Sequence, residues 1–366
     1  MPRTVRVESA GGGYDVLIGC SLLSEIGRLC RAEFPDAAAA ALVADRNVLE
    51  PHAAVAAAAL SAAGFALVRS TVPPGEENKS LERYSLLLDD LVRGRLERSS
   101  PVVAVGGGVV GDLAGFAAAT YLRGVPLVMA PTTLLAMVDS SVGGKTGVDH
   151  PLGKNLIGAF HAPSLVVADL ATLATLPRAE SVAGAAEIVK YGVIGDAALF
   201  ESLERDGMPD GDAALEALVA RCVEIKAGVV GRDERESGRR RILNFGHTIG
   251  HAVEAATGYS RFRHGEAVAI GMAAAARLAE RAGVASAGER IPSRLDALLG
   301  RIGLPSRIPA DVGDEPLLEA IGRDKKARAG RVHFVLPVRI GEVVVTPDVP
   351  LEAVRATLAI CREKGA

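Results

Sequence analysis

Between residues 4 and 169 the chain repeats one pattern, a short apolar run followed by a stretch of helix length. The runs are TVRVES, YDVLIG, ALVAD, FALVRSTV, PVVAVGG, PLVMAP and SLVVAD, with helical patterns at 49–63, 80–97 and 111–122. Such β/α alternation restricts the fold to a mainly parallel sheet with helices on both faces. Beyond TLPRAESVAGAAEIVKYG the strands thin out. Helical patterns dominate 179–304, and a strand pair, RVHFVLPVRIGEVVV, appears near the end. The expected organisation is an α/β domain over 1–178 and a mostly α-helical domain over 179–366.

In the first half, polar or glycine-rich residues follow strand after strand. Asp45 follows ALVA, PGEENK (74–79) follows ALVRSTV, GGGVVGD (106–112) follows VVAV, and PTT (131–133) follows PLVMA. Open parallel sheets bind ligands at the carboxyl ends of their strands, so these loops should converge on one crevice. Glycines 106, 108 and 111 match GxGxxG ahead of a helix, a fit for pyrophosphate at a helix N-terminus. The acidic residue expected ~20 positions downstream is missing; Asp45, on an earlier strand, could serve a ribose instead. The reading is a Rossmann-like dinucleotide domain without the standard fingerprint.

Composition narrows the partners and helps to locate the chemistry. A net charge of −3 leaves no electrostatic footprint for nucleic acid or an anionic membrane. The start, MPRTVRVES, alternates like a strand and has no signal-peptide core. The most apolar stretch, 52–68, is largely alanine, broken by His52, Ser61 and Gly64, and too weak for a membrane span. Cysteines 20, 30, 222 and 361 form no CxxC pair and read as reduced thiols of a cytoplasmic enzyme. Only eight of 41 basic residues are lysine, so arginine is the default surface cation. Each lysine is then a candidate for a compact ammonium role that a guanidinium fits badly. Seven of the eight, at 79, 145, 154, 190, 226, 325 and 326, fall inside the motifs that follow.

VDSSVGGKTGVDHPLGKNLIGAF (138–160) carries Asp139, Lys145, Lys154 and Asn155 among five glycines, and reads as a long functional loop able to hold phosphate oxygens. AGAAEIVKYG (183–192) places Glu187 and Lys190 on one face of a helix of small residues. Alone, such a pair is usually a surface ion pair; the small residues imply close helix packing instead. Lys226, Glu236, Arg239, Arg240 and Asn244 precede the histidines of LNFGHTIGH (243–251), and RDKKARAG (323–330) precedes the last strands. His247 and His251 are four apart on a helix, ~6 Å apart at Cβ and so able to share an ion. His264 follows in RFRHGEA. Three histidines within eighteen residues favour a metal site, with zinc ahead of iron or cobalt.

Together these stretches closely resemble the 3-dehydroquinate synthase family, from about Asp45 through DKK. The resemblance rests on PGEENK, GGGVVGDLAGFAA, PTTLLAMVDSSVGGKTGVDHPLGKNLIGAFHAP, AGAAEIVKYG and LNFGHTIGHAVE, in that order. It implies a lyase of the shikimate pathway acting as a cytoplasmic homodimer with NAD and a divalent metal, Zn2+ or alternatively Co2+. The implied substrate is a sugar phosphate, 3-deoxy-D-arabino-heptulosonate 7-phosphate, converted to 3-dehydroquinate and phosphate. Transient oxidation at C5 is followed by β-elimination of phosphate, re-reduction, ring opening and intramolecular aldol closure.

Residue by residue, the resemblance gives the metal to Glu187, His247 and His264, and leaves His251 beside it as a proton-relay group. It gives NAD to Asp45, Glu76, Lys79, Gly107, Gly108, Asp112, Thr132, Thr133, Asp139, Lys154 and Thr175, with Lys145 shared between cofactor and substrate. The substrate phosphate falls to Lys145, Asn155, Lys190, one of Lys325 or Lys326, and the partner subunit's Arg123. The substrate carboxylate falls to Lys226 and Arg240, with Asn244 nearby, and Glu236 counts among the catalytic residues. Asp149 and Met137 depart from the family pattern, where asparagine and glutamine are expected. Two rivals share the scaffold: a sugar-phosphate cyclase of secondary metabolism, which would lack the carboxylate readers, and a metal-dependent polyol dehydrogenase, which would need no phosphate cluster.

Overall fold

A computed structural model describes residues 2–236, 238–327 and 332–363, without the side chains of 323–327. The chain forms two compact units, Met1–Pro177 with Asp210–Arg235, and Arg178–Pro209 with Glu236–Ala366.

The first unit is built on β1 (Arg3–Val7), β2 (Tyr14–Gly19), β3 (Ala39–Asp45), β4 (Ala66–Val72), β5 (Val102–Gly106), β6 (Leu127–Pro131), β7 (Lys145–His150), β8 (Gly153–Phe160) and β9 (Leu165–Asp169). Among the described residues, seven of these strands form one sheet in the order β1-β2-β9-β6-β5-β3-β4. All neighbours are parallel except β1, which runs antiparallel to β2. Strands β5, β6 and β9 are buried at every residue, so they read as unbroken apolar runs rather than alternating ones. The interstrand segments hold helices α1 (Ile26–Glu33), α2 (Ala54–Ala62), α3 (Leu81–Arg93) and α4 (Gly108–Thr120). The chain leaves β4 at one edge and re-enters at β5 on the far side of β3. The strand order therefore reverses between β3 and β5, which is where such sheets bind ligands.

Two expectations change here. The stretch 138–160 is not a long loop. After a short π-helical turn, Ala136–Ser140, strands β7 and β8 pair as an antiparallel hairpin. Its glycines are what bring the strands together: a Cβ at Gly147 would sit 2.6 Å from the Ile157 carbonyl oxygen, and one at Gly158 2.1 Å from that of Thr146. The second change concerns α7 (Asp212–Val230), expected in the helical domain and found in the first unit. Helical periodicity fixes an apolar face but not its neighbour, and α7 lays that face against β1, β2 and the turn 136–140.

The second unit contains α5 (Arg178–Gly195), α6 (Ala197–Asp206), α8 (His247–Ala256), α9 (His264–Arg281), α10 (Ile291–Ile302), α11 (Asp314–Ala327) and α12 (Leu351–Ile360), with the hairpin β10 (Phe334–Arg339) and β11 (Glu342–Thr346). Helix α9 is buried all round from Ala267 to Ala279, which suits its alanine-rich sequence and makes it the unit's axis. Helices α5 and α8 approach it at glycines. A Cβ at Gly265 would lie 1.9 Å from the Ala183 carbonyl oxygen, and one at Gly271 1.9 Å from that of Gly246. Backbone cannot yield as a side chain can, so Gly271→Ala should destabilise the unit by ~3 kcal/mol, at the upper end of overpacking. It should also push α8 off α9. Thermal melting checks the first effect, and loss of metal binding under the assignment below checks the second. No described helix is long and apolar enough to cross a membrane.

Candidate functional site

At the strand-order reversal, Asp45 ends β3 beside Gly106 at the end of β5, where a Cβ built on the glycine would lie 3.4 Å from that of Asp45. Asp45 also caps the next turn, accepting the amide of Asn47 at 2.7 Å, and burial pushes its carboxyl upward against that bond. Helix α4 begins at Gly108, earlier than its apolar pattern indicates, and its N-cap, Gly107, offers no side chain to the free amides. Such amides and the helix dipole suit an anion. Side chains at this point would crowd it: a Cβ on Gly107 would meet Thr133 Cγ2 at 3.1 Å, and one on Gly108 would meet Ser140 Oγ at 3.2 Å. Thr132, 2% exposed, has a hydroxyl with no hydrogen-bond partner. Bare backbone, an open amide end and a buried orphan hydroxyl fit a dinucleotide.

Around this crevice the other expected groups hold one another. Lys79 is buried, with Nζ 2.5 Å from Asp112 Oδ2 and also donating to Asn155 Oδ1. Burial opposes its charge, but Asp112 and Glu76 overcome this and hold the ammonium above its usual range. Lys154 stands 3.7 Å from Glu76. Asn155 has a left-handed backbone (φ 56°), and its amide donates to Asp149 Oδ1 at 2.7 Å. Asp149, one of the two departures from the family pattern, thus helps to set Asn155; Met137, the other, is fully buried. Lys226, also buried, lies 2.9 Å from Asp139 Oδ1 and donates to its carbonyl at 2.6 Å. Thr175 is held by a residue the sequence did not single out, His52, whose Nε2 lies 2.7 Å from the threonine hydroxyl. Lys145 is exposed at the start of β7. Arg123 is exposed too, on a turn where it and Leu122 both take positive φ, 66° and 48°.

In the second unit, α5 brings Glu187 and Lys190 into an ion pair that is 1% exposed on both sides. From α8 and α9 come three imidazoles with ring centroids 5.3–5.8 Å apart. One nitrogen from each of His247, His251 and His264 lies within 4.8 Å of the others. Glu187 Oε1 faces the same point, 3.6 Å from His247 Nε2 and 3.8 Å from His264 Nε2, and accepts no hydrogen bond. Lys190 compensates the carboxylate's charge at Oε2, and Oε1, buried without a donor among three imidazoles, fits a divalent metal. His247 Nδ1 is 3.2 Å from the Phe245 carbonyl, which directs its Nε2 inward. Burial, with Lys190 and the neighbouring imidazoles, holds His247 well below the ordinary 6.5, and a neutral ring is what a metal needs. His251 is the exposed member of the trio.

Arg240 is 1% exposed in the turn Arg239–Asn244, at whose end Asn244 donates to Glu236 Oε1 at 2.6 Å. Glu236 itself takes positive φ, 58°. The side chains of Lys325 and Lys326 lie outside the described residues. A buried acid that the sequence gave no reason to mark, Glu254, stands 3.6 Å from His264 Nδ1. Its only sequence signal was its place three and seven residues beyond the α8 histidines.

Comparison with known proteins bears on both units. Models of the 3-dehydroquinate synthase N-terminal and C-terminal regions match residues 69–183 and 184–327. A 3-dehydroquinate synthase of Symbiobacterium thermophilum is 53% identical over 352 residues, 95% of this chain and 98% of that one. Among solved structures, a 2-epi-5-epi-valiolone synthase from Streptomyces hygroscopicus subsp. jinggangensis, with NAD+ and Zn2+ bound, superposes with a TM-score of 0.85 at 31% identity, covering 98% of this chain and 99% of that one. A 2-deoxy-scyllo-inosose synthase complexed with carbaglucose-6-phosphate, NAD+ and Co2+ gives 0.87 at 28% identity, covering 98% and 100%. With adjoining regions matched in order and a relative matched almost end to end, the chain belongs to the 3-dehydroquinate synthase family.

Proposed function

We propose that the chain converts 3-deoxy-D-arabino-heptulosonate 7-phosphate to 3-dehydroquinate and phosphate. The observation that carries this over the rival cyclases is the depth of likeness: 53% identity to a 3-dehydroquinate synthase against 31% and 28% to the valiolone and inosose synthases. The presence of Lys226 and Arg240, read as taking the substrate carboxylate, with Asn244 nearby, points the same way.

In this reading the strand-order reversal of the first unit holds NAD through Asp45, Gly107, Gly108, Thr132, Thr133 and Thr175, with Glu76, Lys79, Asp112, Asp139 and Lys154 around it. Glu187, His247 and His264 hold Zn2+, with Co2+ as the alternative. NAD supplies a reversible hydride acceptor and the metal a Lewis acid. The chain's own groups do the rest. Lys145, Asn155, Lys190, one of Lys325 or Lys326 and the partner subunit's Arg123 bind the phosphate and favour its departure as an anion. His251, exposed beside the metal ligands, carries the hydroxyl proton to and from solvent. The assembly is a homodimer in the cytoplasm. Leu122, beside Arg123, and Leu152, Leu156 and Phe160 of the β7–β8 hairpin stand exposed, as apolar residues at a subunit contact would in an isolated chain.

The test is incubation with the heptulosonate phosphate, zinc and catalytic NAD+, following phosphate and dehydroquinate together. Equal release of both is expected. Phosphate release only from sugar phosphates without a carboxylate would give the chain to the rival cyclases.

A further inference from the structure

His264 stands between two buried carboxylates. Its Nε2 is 3.8 Å from Oε1 of Glu187, and its Nδ1 is 3.6 Å from Oε1 of Glu254. Glu254 lies on α8, three residues beyond His251 and seven beyond His247, so the helix presents all three on one face. It is 2% exposed, and an ionised carboxylate that deep is unfavourable unless a donor or cation faces it. A histidine that binds metal through one nitrogen is fixed by what its other nitrogen meets, and such partners change metal affinity 10–100-fold. For His247 the partner is backbone, the Phe245 carbonyl.

We propose that Glu254 is the positioning residue for His264, facing Nδ1–H and so keeping Nε2 as the lone-pair nitrogen turned towards Glu187. At 3.6 Å the contact is longer than a hydrogen bond and acts as electrostatic orientation of the ring. The inference rests on the metal reading above and adds to it a fourth protein group, one that sets affinity without ligating.

The experiment measures zinc affinity of the full-length chain by competition with a chromophoric chelator, and melting of the zinc-free protein alongside. Glu254→Gln keeps the size and an acceptor oxygen but removes the charge, and should weaken zinc ~10-fold; Glu254→Ala should weaken it ~100-fold. A merely structural role would lower melting of the zinc-free protein and leave affinity unmoved. Should the alanine variant not fold, the glutamine variant decides alone. Affinity within twofold of wild type in Glu254→Gln, while Glu187→Ala has lost zinc, overturns the inference and leaves the metal site standing. Wild-type affinity in Glu187→Ala overturns the site itself and this inference with it.

Discussion

Glu187→Ala, His247→Ala and His264→Ala should each leave dialysis without tightly held zinc, whereas His251→Ala should keep the ion and lose mainly rate. Spacing alone pairs His247 with His251, and geometry keeps that pairing open, since all three imidazoles converge within 4.8 Å. Burial separates the candidates. Glu187 is 1% exposed with Oε1 accepting no hydrogen bond, while His251 is exposed. Water can replace a metal before an exposed imidazole at little cost, but it cannot reach Glu187 Oε1. Three protein ligands also leave a coordination position open, as catalytic sites do. Losing a ligand should lower activity on the order of a thousandfold or more, the several kcal/mol that a Lewis acid supplies. His251→Ala should cost ~10²–10⁴-fold in kcat, the range for a proton-transfer group. Metal analysis after dialysis decides: a zinc-free His251→Ala with a loaded Glu187→Ala would reinstate the helix pair.

The second large effect is expected at Lys190. Sequence treats the phosphate lysines as equals, but the structure does not. Lys145 is exposed, so solvent screens its charge, whereas Lys190 is 1% exposed. If Lys190 meets the substrate phosphate, Lys190→Ala leaves a desolvated anion unpaired and should lower kcat/KM by ~2–5 kcal/mol, about 30- to several-thousand-fold. Lys145→Ala should cost less. Because Lys190 also pairs with Glu187, zinc content is measured in the same preparations and should stay stoichiometric. Near-wild-type kcat/KM in Lys190→Ala would remove it from the phosphate site.

Much of the sheet was legible because its strands are buried on both faces, so β3, β5, β6 and β9 appear as plain apolar runs. The hairpin was not. Gly147 and Gly158 read as loop residues, although their missing side chains are what let two backbones meet. The placement of α7 was hidden for a different reason: a helix advertises its apolar face, not the surface that receives it. At the site, ligand types were visible as histidines and an acid on a small-residue helix. Glu254 and His52 were not, since a lone acid or histidine in a helix looks ordinary until its neighbours are known. Asp149 departs from the family pattern, and nothing in the sequence shows that it holds the amide of Asn155.

In the proposed reaction the redox step is internal and closes on itself. The most direct measurement is absorbance at 340 nm during turnover of heptulosonate phosphate with NAD+ in excess over enzyme, with phosphate counted in parallel. Phosphate should accumulate over many turnovers, only when NAD+ is present, while NADH in solution stays below the enzyme concentration. NADH rising in step with product would contradict the account and identify the chain as a dehydrogenase.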